Sequence, residues 1–433
     1  MDDRITIIHG PNGYGKTFLL KMLDALFNCR YQELRVVPFR EFSVTLDDKS
    51  LIRVVNRMRL ANGRRTRRRL TGLVIEHRRP GSRAEVFKPQ DITPEELPFP
   101  LGMLEEFLPS LRRTGGTSWL HIPTGETLSL NDVLYKFSHV LPGPYRGRLP
   151  DAMLARAPAW LRAISKAIPT RFIQAQRLLA MSGGPQRGRE EQGAMVPAVT
   201  KYSEELVGAI QKNLAEYASL SQSLDRTFPT RLVKGKAVPG LTIERLRGEL
   251  RALQEKRSRL MAAGLLDREK EIDVKDLKGV DASKRDVLSV YVDDVKRKLG
   301  VFDELTNKID LLVKILNRRF LYKHVSIDKK DGFVFRTLEG KVLQPTSLSS
   351  GEQHELVMLY ELLFKVSPNS LILVDEPELS LHVVWQQQFL KDIQDIIKLA
   401  GFDVLIATHS PQIIHNRWDL TVELKGPAEC SST

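Results

Sequence analysis

Eight consecutive residues, Gly10-Pro11-Asn12-Gly13-Tyr14-Gly15-Lys16-Thr17, constrain this chain more than any other segment. A β-branched run, Ile5 to Ile8, precedes them, and Phe18, Leu19, Met22, Leu23, Leu26 and Phe27 follow at helical spacing. A strand, a glycine-rich turn and a helix in that order gather backbone N–H groups and the positive end of a helix around one point. Lys16 supplies an ammonium to reach phosphates, and the Thr17 hydroxyl suits the shell of a Mg²⁺ ion. The segment predicts a phosphate-binding loop in an α/β fold, with ATP and Mg²⁺ as cofactors.

A second feature defines the chemistry. Leu371-Ile372-Leu373-Val374 is an apolar run of the buried-strand kind, and it ends in Asp375 and Glu376. Asp375 suits Mg²⁺, directly or through water. Glu376 is placed to polarise water for attack on a γ-phosphate, a general-base task. An acid directly after the Mg²⁺ acid points to a hydrolase rather than a nucleotide kinase, so the expected reaction is ATP plus water to ADP plus phosphate.

Further motifs follow in a fixed order. Leu348-Ser349-Ser350-Gly351-Glu352-Gln353 opens a helix carrying Leu356, Val357, Leu359, Tyr360 and Leu363. Ser349 alone could be a capping serine. With Pro377-Glu378-Leu379-Ser380-Leu381-His382, Ala407-Thr408-His409-Ser410-Pro411 and Phe172-Ile173-Gln174-Ala175-Gln176-Arg177-Leu178, however, the set resembles the ATP-binding-cassette (ABC) ATPases of the Rad50/RecF kind. The resemblance implies that Ser349, Ser350, Gly351 and Glu352 are a signature motif facing the γ-phosphate held by a second copy of the chain. It further implies that His409 is the switch histidine. Gln176 is the preferred glutamine for Mg²⁺ or the attacking water, and Gln174 is the alternative. Ser350 stands where transporters usually carry glycine.

The stretches LSSGEQHELVMLYELLF, DEPELSLH, IATHSPQII and LDRTFPTRL resemble more closely the PtuA-like ATPases of bacterial antiphage defence, found in Septu systems and some retrons. The PARIS and overcoming-lysogenization-defect (OLD) ATPases are more distant. This resemblance implies a homo-oligomeric ATPase that senses infection and holds or releases a separate nuclease or toxin, such as an HNH protein. OLD-type nucleases continue past the switch histidine into a metal-binding domain. Only 24 residues follow His409 here, and no HxH or DxD cluster appears, so no intrinsic nuclease is expected. Nine residues precede Gly10, whereas ABC folds place a strand or more before the loop strand, so a start upstream of Met1 is expected.

Composition narrows the class. Of 433 residues 42% are hydrophobic and 27% charged, enough for a large core. No apolar run approaches the roughly 18 residues of a membrane span, and the first residues lack the basic segment of a secretory signal. Cys29 and Cys430 stand far apart without a pairing or zinc pattern, which fits a cytoplasmic protein with no membrane contact. The net charge of +13 is concentrated: eleven arginines and one acid, Glu76, lie between Arg53 and Arg83. Arg64, Arg65, Arg67, Arg68 and Arg69 fit either a solvated hairpin tip or a contact to the phosphates of DNA or RNA.

The fold expected is an ABC-type P-loop NTPase head with an antiparallel β subdomain and a helical insertion. Residues 1–200 form one lobe, with an alternating meander from Leu34 to Lys88. Residues 91–168 read as mixed and helical. Residues 201–319 form a helical arm, its best helix running from Leu288 to Leu316 and another from Leu241 to Met261. Residues 320–433 return to the second lobe, with strands at Val325–Ile327 and Phe333–Phe335. Two other functions fit the same motifs: a RecF/Rad50-like DNA repair or recombination ATPase, and a metabolite- or protein-responsive ATPase switch without DNA contact.

Overall fold

The computed structural model describes residues 4–56, 72–90, 93–97, 99–137, 157–174, 179–181, 195–234, 242–266, 282–379 and 381–425. The β-branched run near the start becomes strand β1 (Ile5–His9), followed by the glycine loop and helix α1 (Lys16–Phe27). A meander follows as β2 (Glu41–Thr45), β3 (Leu51–Asn56), β4 (Leu73–Arg78) and β5 (Glu85–Phe87), paired antiparallel in that order. Its first segment departs from expectation. Tyr31–Val36 is a short helix, with Tyr31 and Leu34 buried beside Phe27, so the meander begins only at Glu41. The arginine cluster Arg64–Arg69 lies outside the described residues, in the connection between β3 and β4.

Residues 91–168 carry helices at Met103–Phe107, Leu130–Phe137 and Ala159–Ala167, and beside them a small sheet that the mixed, helical reading does not specify. Leu111–Gly115, Ser118–His121 and Glu126–Ser129 are antiparallel strands β6, β7 and β8. Gly115 and Gly116 at positive φ make the first turn, and Gly125 makes the second. With Trp119, Leu128 and Val133 they bury a small core of their own. A period of two over such short strands is hard to distinguish from noise in a sequence.

The chain then enters the main sheet as β9 (Thr170–Gln174), makes a short hairpin, β10 (Leu179–Met181) with β11 (Met195–Pro197), and leaves for the arm. The arm consists of α2 (Ala198–Lys234), α3 (Ile243–Ala262), α4 (Ala282–Gly300) and α5 (Asp303–Arg319). The single helix expected over Leu288–Leu316 is two. Gly300 ends α4, Phe302 is buried, and Asp303 and Glu304 occupy the first turn of α5, where acids favour a helix start. Leu246, Leu253 and Leu260 line the inner face of α3, and an Arg231–Asp294 ion pair ties α2 to α4.

The return path is a three-stranded antiparallel sheet, β12 (Lys323–Asp328), β13 (Gly332–Thr337) and β14 (Val342–Leu343), then helix α6 (Ser350–Tyr360). Strand β15 (Leu371–Asp375), helix α7 (Val383–Ala400), β16 (Asp403–Thr408) and β17 (Thr421–Glu423) complete the chain. The main sheet has the order β17-β1-β16-β15-β9, all parallel. Side-chain alternation divides its faces. Ile5 and Ile7 pack with Phe389 and Ile393 of α7, while Ile8 packs with Leu20 and Leu26 of α1. Among the described residues no helix is long and apolar enough to cross a membrane.

Candidate functional site

Because every strand of the main sheet runs the same way, all their C-terminal ends lie along one edge, where α/β sheets bind ligands. The register fixes the neighbours. His9 pairs with Thr408, Ala407 with Asp375, and Asp375 with Gln174. Sequence positions hundreds of residues apart thereby meet within a few ångströms.

The glycine loop has the backbone a phosphate cradle needs. Gly10, Gly13 and Gly15 all have positive φ, at 153°, 86° and 92°. A side chain at Gly10 would meet the carbonyl oxygen of Leu424 at 3.0 Å as well as the unfavourable φ. Gly15 is the N-cap of α1, and no side chain caps that terminus, so its first-turn N–H groups face the loop. Lys16 is buried, and its ammonium donates to the carbonyls of Gly10 at 2.7 Å and Pro11 at 3.1 Å. Among the described residues it has no carboxylate partner, a setting suited to an oligophosphate.

Across the sheet edge the Thr17 hydroxyl donates to Asp375 Oδ1 at 3.1 Å. Burial raises the Asp375 pKa from its ordinary value; the Thr17 hydrogen bond opposes that shift, and neighbouring Glu376 adds to it. A half-buried carboxylate beside a hydroxyl, both oxygen donors, fits a hard cation such as Mg²⁺ that takes its remaining ligands from phosphate and water. Gln174 ends β9 in register with Asp375, whereas Gln176 lies outside the described residues.

Glu376 has φ 44°, an uncommon conformation for a residue with a side chain. Its N–H donates to the Ala407 carbonyl at 2.9 Å, which holds the turn. Such strain costs about 1–3 kcal/mol and persists where the surroundings over-determine it. The side chain is partly exposed, with Oε1 3.9 Å from His409 Nδ1.

Glu378, to which the sequence assigned no task, organises the histidine. Its carboxylate lies 2.9 Å from His409 Nδ1 and accepts from the Thr408 hydroxyl at 2.8 Å and the His409 N–H at 2.9 Å. Gln386 of α7 extends the network, donating toward the Glu378 and Leu381 carbonyls and accepting from the Ser410 hydroxyl at 2.9 Å. The only signal for Glu378 was an acid within the Pro377–His382 motif. Nothing in the sequence marks Gln386.

Ser349, Ser350, Gly351 and Glu352 form the start of α6. The Ser349 hydroxyl caps the Glu352 N–H, and the Glu352 carboxylate accepts from the Ser349 N–H at 2.7 Å, a reciprocal capping box. Lys323 of β12 donates to both Glu352 oxygens, at 2.8 and 2.6 Å. Burial acts to raise the Glu352 pKa, but the Lys323 and Ser349 hydrogen bonds outweigh it and hold the group below its ordinary value. Ser349 and Ser350 are exposed, so this helix terminus opens outward.

Lys16, Thr17, Asp375, Glu376 and His409 therefore line one sheet edge, whereas Ser349, Ser350, Gly351 and Glu352 stand at the start of a separate helix. Residues 252–415 match the family described as "AAA domain, putative AbiEii toxin, Type IV TA system". That segment contains α6, the Asp375-Glu376 strand and His409. No curated protein matches the chain. Among solved structures, the Smc head domain with an extended coiled coil bound to the C-terminal domain of ScpA, from Pyrococcus furiosus, shares 11% identity at a TM-score of 0.29, covering 95% of this chain and 85% of that one. The SMC head domain from Thermotoga maritima shares 11% at 0.29, covering 97% and 86%. An SmcHead bound to the C-winged helix domain of ScpA shares 10% at 0.30, covering 95% and 83%. The chain's own structure is a mixed α/β fold whose parallel sheet sets the glycine loop beside the acids at the end of β15.

Proposed function

We propose that this protein binds MgATP between two copies of itself, hydrolyses it, and uses the cycle to regulate a separate nuclease or toxin in antiphage defence. The observation that supports it most is the sheet edge that brings Lys16, the Thr17–Asp375 pair, Glu376 and His409 together. Lys16 and the α1 amides take the phosphates. Thr17, Asp375 and one of Gln176 or Gln174 hold Mg²⁺, which when bound neutralises charge on the β- and γ-oxygens. Glu376 accepts the proton of the attacking water as the water oxygen bonds to the γ-phosphorus and the bond from that phosphorus to the β,γ-bridging oxygen breaks, releasing ADP and inorganic phosphate. His409, held by Glu378, senses the γ-phosphate. The outward-facing Ser349–Glu352 terminus supplies a second copy's site.

The defence reading is supported by the resemblance to PtuA-like ATPases and by the toxin-system description of the family that residues 252–415 match. A DNA-binding RecF-like role draws only on the arginine-rich stretch. Glu376→Gln tests the chemistry. It should keep ATP binding, trap the nucleotide-bound dimer, and lose on the order of a hundredfold or more in turnover. Unchanged steady-state hydrolysis would sink the assignment. Affinity purification from the native host, with mass spectrometry of co-eluting chains, tests the partner: a nuclease or toxin is expected, and replication or repair proteins would favour the alternative.

A further inference from the structure

Four large apolar side chains stand in solvent at one end of the β12–β14 sheet: Leu321 at 75% exposure, Tyr322 at 74%, Leu338 at 75% and Val342, also exposed. The pairing gathers them. Lys323 is opposite Thr337, so Tyr322 and Leu338 are the next residues at the same end, and Val342 pairs with Arg336 beside them. An apolar group of this kind on a soluble surface marks a contact. Its location is specific, because Lys323, adjacent to Tyr322 in sequence, donates to Glu352 in the first turn of α6. The strand end from which the patch projects is therefore tied to the signature terminus through Lys323.

The phosphate loop carries its own exposed apolar residues. Tyr14, within the loop, is 42% exposed, and Phe18, directly after Thr17, is 48% exposed. If the signature terminus of one copy faces the loop of another, the two apolar sets flank the same phosphates from opposite sides. An isologous pair repeats that contact twice. We propose that Leu321, Tyr322, Leu338 and Val342 form an apolar collar that packs against Tyr14 and Phe18 of a second copy of this chain, closing the edge of the shared ATP site. The occupant is a second copy because Lys323 ties the sheet end that carries the patch to Glu352 at the α6 terminus, and a matching apolar set, Tyr14 and Phe18, stands exposed at the loop. The collar rests on the composite-site reading and goes beyond it by naming the surface that makes closure apolar. Water excluded there strengthens the charge interactions at the γ-phosphate.

The test uses the full chain in a Glu376→Gln background, so that nucleotide is retained. Tyr322→Asp and Leu338→Asp, both at exposed positions, should weaken MgATP-dependent dimerisation about tenfold or more by analytical ultracentrifugation. ADP binding to the monomer and the thermal midpoint should stay unchanged. Tyr322→Ser and Leu338→Ser replace them should either Asp variant fail to fold. Phe18→Cys combined with Tyr322→Cys, with Cys430→Ser, should give an intersubunit disulfide in MgATP and not in ADP. If Glu376→Gln alone shows no MgATP-dependent dimer, the composite-site reading fails and takes the collar with it. If that dimer forms and both Asp variants match its affinity, the collar is overturned and the composite site stands. A dimer weakened by both Asp variants that gives no Phe18–Tyr322 cross-link overturns the assigned counterpart.

Discussion

Asp375 and Glu376 are neighbours in sequence yet stand in different electrostatic settings. Asp375 is held in the sheet against Thr17, whereas Glu376 turns out through a positive φ toward His409. Burial raises the Asp375 pKa, so its ionisation at neutral pH costs stability until a cation is bound. Asp375→Asn should therefore raise the thermal midpoint of the nucleotide-free protein at pH 7. That gain should shrink as pH falls through the raised value, where the native carboxyl takes up its own proton. Hydrolysis in the same variant should drop roughly a hundredfold or more, because the ligand proposed for Mg²⁺ is gone. Calorimetry and a phosphate-release assay check the two halves, and a midpoint that falls at pH 7 would contradict the burial argument. The residues themselves were legible in the sequence; their unequal environments were not, since burial depends on α1 arriving from the other end of the chain.

The elements around the signature helix are bound by buried charge. Arg319, at the end of α5, pairs with Glu355 of α6 and Asp392 of α7, and Arg318 also reaches Asp392. Arg319, Glu355 and Asp392 are all buried, and burial pulls the Arg319 pKa down against the pull of Asp392. Removing one member leaves uncompensated charge in the core. Arg319→Met should cost about 3–5 kcal/mol in denaturant unfolding, and replacing Arg319, Glu355 and Asp392 together by apolar residues should recover most of it. Equal losses in the single and triple variants would mean that packing, not charge, is what the site supplies. No spacing rule announces this triad. The same limit explains the elements misread from sequence. The apolar stripe over Leu288–Leu316 is continuous at helical period, but Gly300 and buried Phe302 redirect the chain between α4 and α5. The alternating pattern reads as a meander from Leu34 onward, yet Leu34 and Val36 belong to a helix, Tyr31–Val36, that packs beside α1.

At the scale of the molecule, one chain carries both halves of an ATP site that the proposed function distributes over two copies. Ser349→Arg should keep ATP binding and lose hydrolysis and nucleotide-dependent closure, because it plugs the α6 terminus with bulk and like charge toward Lys16. Co-expressed with Lys16→Ala, it should regain part of the activity, since a mixed dimer has one intact site and one carrying both lesions. Mixed dimers that hydrolyse no more ATP than either single variant would show that sites are not shared. What the sequence determined unaided is chemical: a glycine loop with Lys16 and Thr17, an acid pair closing an apolar strand, and a histidine after another strand. Those signals are local, because backbone conformation, helix capping and strand burial are set within a few residues. The tertiary structure alone decided which of them meet. Parallel pairing in the order β17-β1-β16-β15-β9 aligns the strand ends of a chain that departs for the arm between β9 and β15. It also recruits Glu378 and Gln386 to hold His409. Such contacts join residues distant in sequence through burial and register, which no local pattern records.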